Sequence, residues 1–166
     1  MNQQPSCCPR FDPSPWDETS IDFEGTLFLK DRVRSLFHIP LNFSAVMKRD
    51  MGQITAAGAL GEAQVILADE NSLWGADVYT RVSKMVPGAQ MSRLKGTFES
   101  KVFEGPYSQM GQFVSQMKAY LQKKEAVLQK ILFYYPLCPK CAKKYGGNYI
   151  VLLAATGEAG LQIEDL

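Results

Sequence analysis

The sequence predicts an α+β fold in which one strand–helix–hairpin unit, β-α-β-β, occurs twice and the two copies share an antiparallel sheet. Two stretches carry this expectation. Leu36–Ser44 (LFHIPLNFS) and the segment around Lys101–Gln109 (KVFEGPYSQ) align without a gap, setting Phe37 against Phe103, Pro40 against Pro106 and Asn42 against Ser108, an offset of 103 − 37 = 66 residues. The same register pairs Met47 with Phe113, Met51 with Met117, Ile54 with Tyr120 and Leu67 with Phe133, so apolar residues keep meeting apolar residues. In each copy a β-favouring run ends in a proline turn, Asn or Ser follows where a helix N-cap belongs, and an amphipathic run comes next. Neither unit could bury its apolar face alone, which is why the two are expected to share a sheet.

The elements follow in order. Residues 1–20 hold Pro5, Pro9, Pro13 and Pro15, which fix φ and remove backbone donors, so they predict an irregular arm, laid on the body by Phe11 and Trp16. One domain follows over 21–156, its repeats spanning about 21–84 and 92–156. Residues 23–38 are β-favouring and end at Pro40. Phe43, Val46, Met47, Met51 and Ile54 recur at helical spacing, capped by Asn42 and stopped by Gly58 and Gly61. Residues 63–70 and 74–82 flank a polar turn as a hairpin. Met85–Lys95, with its Pro87-Gly88 turn, links the copies. Thr97–Glu104 is the strand of the second copy, and Met110, Phe113, Val114, Met117 and Leu121 mark its helix after Ser108. Residues 130–135 and 148–155 form the last hairpin with PLCPKCAKKYGG in its turn, and 157–166 is a tail expected to fray.

Composition narrows the function classes. A chain of 166 residues, 46% hydrophobic and 21% charged, can bury one real core. Its net charge of +1 provides no broad positive field, so direct nucleic-acid binding is not expected. No apolar run approaches the roughly 20 residues that cross a bilayer, and the first residues lack the apolar stretch of a signal peptide; the expected location is the cytoplasm, with no membrane partner. Four cysteines do not make a disulfide scaffold in such a chain, so they are expected to be reduced or to hold a metal.

FHIPLNF, GTFESKVFEGPY and CPKCAKKYGGNYIV together resemble the GyrI-like small-molecule-binding superfamily, relatives of the SOUL haem-binding proteins and of the ligand domains of multidrug-sensing regulators. The opening CCPRFDPSPWD and the CPKCAKKYG turn are similar to a subgroup labelled hydrolases and related to enzymes that open the cyclopropane ring of DNA-alkylating natural products. The resemblance covers nearly the whole chain. It implies a curved antiparallel sheet with helices on one face and a ligand groove on the other. It also implies a flat hydrophobic or aromatic small molecule as partner, detoxification as the role, and no required cofactor.

Opening a strained cyclopropane fused to a flat aromatic system needs an aromatic slot, a group that orients water and a donor for the carbonyl oxygen that takes up charge. For the slot the candidates are Trp74, Tyr79, Phe37, Phe103 and Tyr107, any of which can equally be core. Trp74 and Tyr79 lie on the first hairpin and Tyr135 ends the matching strand, where a groove flanked by both hairpins would meet them. The catalytic candidates are Glu104, Tyr135 and His38: Glu104 occupies the position in the second copy that His38 holds in the first, though a Glu before Gly-Pro can simply end a strand and a lone His is commonly structural. Glu99 and Lys101 are fallbacks, with a surface ion pair as their alternative. Cys138 and Cys141 form a CxxC that reads as a redox dithiol if it opens a helix after a parallel strand. Joined by Cys7 or Cys8 from the arm, it reads as a structural zinc clip, with Cys8, Cys138 and Cys141 as ligands. Three functions stand side by side: a hydrolase, a non-enzymatic drug-binding or gyrase-modulating protein, and a dithiol oxidoreductase. The sequence leaves the oligomeric state and the physiological ligand open.

Overall fold

Alternation along the strands sorts the core into two layers, one on each face of a single sheet. The computed structural model describes residues 8–23, 25–37, 39–61, 64–157 and 161–166. Its strands are β1 (Thr19–Asp22), β2 (Thr26–Leu36), β3 (Ile39–Pro40), β4 (Ile66–Ser72), β5 (Gly75–Arg81), β6 (Met91–Lys95), β7 (Thr97–Glu104), β8 (Leu128–Tyr134), β9 (Tyr149–Thr156) and β10 (Gln162–Asp165). The helices are α1 (Phe43–Ala56), α2 (Met110–Lys123) and α3 (Pro139–Tyr145). The α+β class is as expected. The curled sheet runs β1-β7-β9-β8-β4-β5-β2-β6-β10 with every pairing antiparallel, and the short β3 pairs with β2.

One face carries Phe28, Leu67, Tyr79, Phe98, Leu132, Tyr134, Val151 and Leu153, all buried, and the arm closes it with Phe11 and Trp16. Trp16 packs on Tyr134 at 5.0 Å between ring centroids and Phe11 on Tyr149 at 5.4 Å. The opposite face carries the helices. On α2, Phe113, Met117 and Leu121 recur every four residues and bury against Phe103, Ile150, Leu152 and Ala154. On α1, Val46 packs on Val33 and Val78, and Ile54 on Leu29 and Met91. Between them on the same stripe sits Asp50, only 1% exposed. Neither of its carboxylate oxygens accepts a hydrogen bond from a described residue, and the Arg49 Nε is 3.9 Å away.

The structure differs from the sequence expectation at several points. Asn42 is the N-cap of α1 but makes no capping bond, because its Oδ1 accepts the Arg34 backbone N–H at 2.7 Å and ties the helix entry to β2. Ser108 lies within a 3-10 turn, Tyr107–Gln109, and Gln109 is the N-cap of α2. The segment read as a turn contains α3, which starts with Pro139 in the first turn and stops at Gly146 in the left-handed conformation. Met91–Lys95, read as linker, is a strand, and the tail does not fray at its end, because β10 pairs with β6 from Gln162 to Asp165.

The ungapped alignment also needs correction. The buried positions Val46, Asp50 and Ile54 of α1 match Phe113, Met117 and Leu121 of α2 at 113 − 46 = 67 residues, one more than the sequence register. Phe37 and Phe103 lie in unlike surroundings: Phe37 is 64% exposed with φ of 49°, whereas Phe103 is 6% exposed and stacked on Phe113 at 5.1 Å. No single offset relates the two stretches, although the buried positions of both helices recur every four residues. No helix among the described residues is long and apolar enough to cross a membrane.

Candidate active site

Beside α1 the helix-bearing face of the sheet carries small side chains, Val33, Ala68, Ala76 and Val78. Ala68 stands opposite Phe133 across the β4–β8 ladder, and α1 presents Val46 to the sheet where α2 presents Phe113. The space left on the helix-bearing face is a cavity of about 660 Å³. Its walls are Val33 of β2, Ile66 and Ala68 of β4, Ala76 and Val78 of β5, Phe43 of α1, and Leu137, Pro139 and Ala142 in and before α3. Gly75 keeps the β4–β5 hairpin close to β2: a Cβ there would stand 2.8 Å from the Val33 carbonyl oxygen.

A carboxylate interrupts this apolar lining. Along β4 the alternation that turns Ile66 and Ala68 to the cavity also brings Glu70 there. Its Oε1 accepts two phenols: the Tyr135 hydroxyl donates at 3.0 Å and the Tyr107 hydroxyl at 3.4 Å. Tyr135 extends β8 and lies parallel to Phe133 at 6.5 Å, and Tyr107 sits in the 3-10 turn ahead of α2, its ring 6.1 Å from that of Tyr135. Burial, and then the charge of Glu70, push both phenol pKa values up, that of Tyr135 far beyond the ordinary range. Both therefore keep their protons at neutral pH and act as hydrogen-bond donors. The group is a base flanked by two donors in a low-dielectric recess, an arrangement that can take a proton from water on one side and stabilise a developing oxyanion on the other.

The sequence candidates are distributed around this centre. Tyr135 and Tyr107 meet on Glu70. Trp74 and Phe37 meet each other, with centroids 5.4 Å apart and planes at 48°. They are 60% and 64% exposed; Trp74 directly precedes the cavity-wall residue Gly75, and Phe37 lies in the short stretch between the wall residues Ser35 and Pro40. Tyr79 is 1% exposed on the arm-covered face, and Phe103 is locked against Phe113 beneath α2. Glu104 ends β7 exposed, with its carboxylate beside Gly147, outside the cavity lining. Glu99 accepts bonds from Lys124 and Ser20, and Lys101 pairs with Glu18. His38 lies outside the described residues, as does Cys7. Cys8, Cys138 and Cys141 come together, their sulfur atoms within 4.8 Å of one another.

The groove was expected on the face without helices. That face is filled by Phe11, Trp16 and the aromatic core, and the cavity opens beside the helices instead. Glu70 was missed by sequence reasoning, which treated 63–70 only as a hairpin strand. The available signal was an acidic residue in phase with Ile66 and Ala68, on the strand face that should be apolar. No curated protein matches the chain. A family model described as "Bacterial hydrolase" matches residues 1–156, and the chain belongs to that bacterial hydrolase family.

Proposed function

We propose that this protein binds a flat hydrophobic small molecule in the Glu70 cavity and hydrolyses a strained electrophilic ring in it, such as a cyclopropane conjugated to a carbonyl. The observation that carries the reading is the pairing of one carboxylate with two protonated phenols inside otherwise apolar walls. In the reaction, Glu70 takes a proton from water as the water oxygen bonds to a ring carbon. The ring C–C bond breaks, its electron pair moves into the conjugated carbonyl, and Tyr135 or Tyr107 turns its O–H to that oxygen; the proton that Glu70 took replaces the one the phenol passes on, so the oxygen ends as a hydroxyl and both side chains return to their starting states. Water is consumed and no redox partner is needed. The product has lost the strained ring with which such a molecule alkylates DNA, which gives the activity a protective role.

The architecture supports a GyrI-like ancestry by duplication. Each half runs strand, helix, hairpin, and the sheet order β7-β9-β8 on one side of the centre mirrors β2-β5-β4 on the other. On this reading the ligand site belongs mostly to the first half and borrows Tyr107, Tyr135 and α3 from the second.

The test is incubation with a cyclopropane-bearing alkylator and separation of the products. Ring-opened, hydrated product formed in proportion to enzyme supports the proposal; bound but unchanged compound assigns the protein to non-enzymatic drug sequestration instead. The exposed Phe37–Trp74 pair is expected to cover the bound ring system at the rim. Trp74→Ala should therefore weaken binding about tenfold, the effect of losing roughly 1–1.5 kcal/mol of aromatic contact. Fluorescence or calorimetric titration reads this directly, and an unchanged dissociation constant would remove Trp74 from the site.

A further inference from the structure

We infer a structural zinc site formed by Cys8, Cys138 and Cys141, independent of the hydrolytic chemistry. The three thiols come from segments far apart in sequence, the arm and the start of α3, and their sulfur atoms lie within 4.8 Å of one another. Zn–S bonds of about 2.3 Å in a tetrahedron place sulfur atoms about 3.8 Å apart, so a small contraction closes the set on a metal ion. None of the three is in a disulfide. A disulfide could engage only two of them, whereas a thiophilic cation uses all three.

The surroundings fit ligands held for a metal. The Cys138 backbone N–H points at the Cys8 sulfur at 3.5 Å, the kind of bond that stabilises a metal-bound thiolate. The Tyr145 hydroxyl donates to the Cys8 carbonyl at 2.6 Å, fixing the arm against α3, and the Arg10 guanidinium lies 4.7 Å from the Tyr145 ring centroid. Leu137, Ala142 and Phe11 pack around the thiols, and Cys141 is 2% exposed. Cys138 and Cys141 are spaced as a CxxC, so one turn presents both sulfurs to the same point. The third ligand then staples the arm to the helix. Cys138, Leu137, Pro139 and Ala142 also line the Glu70 cavity, so the metal would hold one wall of that cavity in place. The described residues supply three cysteine sulfurs, a set that favours Zn²⁺ over oxygen-seeking cations.

Protein produced in zinc-containing medium should carry about one zinc per chain by native mass spectrometry. Cobalt added to chelator-treated protein should give tetrahedral d–d bands in the visible and sulfur-to-cobalt charge transfer in the near ultraviolet. Cys8→Ser is the informative variant, since Cys8 is on the arm and its loss leaves the sheet intact. It should keep the far-ultraviolet circular dichroism of the parent, weaken Zn²⁺ binding more than about 100-fold, beyond the cost of losing an outer hydrogen bond to a ligand, and lose part of the charge-transfer intensity. Cys141→Ser should do the same, with added thermal destabilisation. Metal-free protein in which cobalt gives only octahedral spectra, a Cys8→Ser variant with unchanged Zn²⁺ affinity, or a disulfide among the three cysteines would each overturn the site.

Discussion

Glu70→Gln should lower the turnover of a cyclopropane substrate by about 10²–10⁴, the range typical of a lost general base, while ligand affinity changes by less than tenfold. The amide keeps the shape of the side chain and can still accept from Tyr135 and Tyr107, which now donate to its carbonyl oxygen at the positions found for Oε1. What it lacks is the ability to take a proton from water. The effect should therefore appear in kcat and leave KM nearly unmoved, the signature of an interaction made in the transition state. Stopped-flow or product-resolved kinetics on the two proteins decide the matter. Equal kcat would remove Glu70 from the chemistry and return attention to Glu104, whose exposed position at the end of β7 offers water but no walls.

The second large effect is on stability. Asp50 is buried on α1, and burial, then its interaction with the neighbouring Asp31, raises its pKa from the ordinary carboxylate range to about 7. Asp31 goes the other way: burial pushes it up, but the Arg49 side chain and the Arg32 backbone N–H outweigh that and hold it low and charged. Asp50 thus carries a proton in the folded state that it can offer Asp31, and gives that proton up on unfolding near neutral pH. A folded pKa above the unfolded one means that the folded state binds more protons between about pH 4 and pH 7. Stability is then fully present below that window and lost as pH rises through it, at up to about 1.4 kcal/mol per unit and on the order of 4 kcal/mol in all. Asp50→Asn imitates the protonated group, so it should flatten this slope and stabilise the protein at pH 8 by about 2–4 kcal/mol. Denaturant melts of both proteins from pH 4 to pH 8 measure it. A parent chain equally stable across the range would show that Asp50 folds charged.

Much of the frame was legible in the residues because it rests on periodicity. Phe113, Met117 and Leu121, and Val46 and Ile54, announce their helices by spacing, and the β4–β5 and β8–β9 hairpins show as β-favouring runs on either side of turn segments. The parts that escaped are those where tertiary pairing overrides a weak local signal. β6 and β10 are short, and half or more of their residues are polar; each becomes a strand because an edge is available to it. The prolines at 136 and 139 suggest a turn, yet Pro139 falls where a helix tolerates it, and Gly146 ends the helix seven residues on.

The site was legible in pieces. Tyr107 and Tyr135 could be named because they are aromatic residues beside turns, but the sequence gives no reason for both hydroxyls to point at one oxygen. Tyr79 and Phe103 read the same way and became core, since a strand pattern names two faces without saying which one is covered. The covering is done by Phe11 and Trp16 of the arm, a long-range contact that no periodicity encodes. That contact fills the face where a groove was expected and leaves the recess above Ala68 and Ala76 as the place for a ligand.

The most direct test of this account is a crystal structure with a planar aromatic substrate analogue or the ring-opened product bound. The account predicts electron density between α1 and the turn before α2, with a polar atom of the ligand within hydrogen-bond distance of Glu70 or of the Tyr135 hydroxyl. A ligand seated instead on the arm-covered face, or beside Glu104, would contradict it.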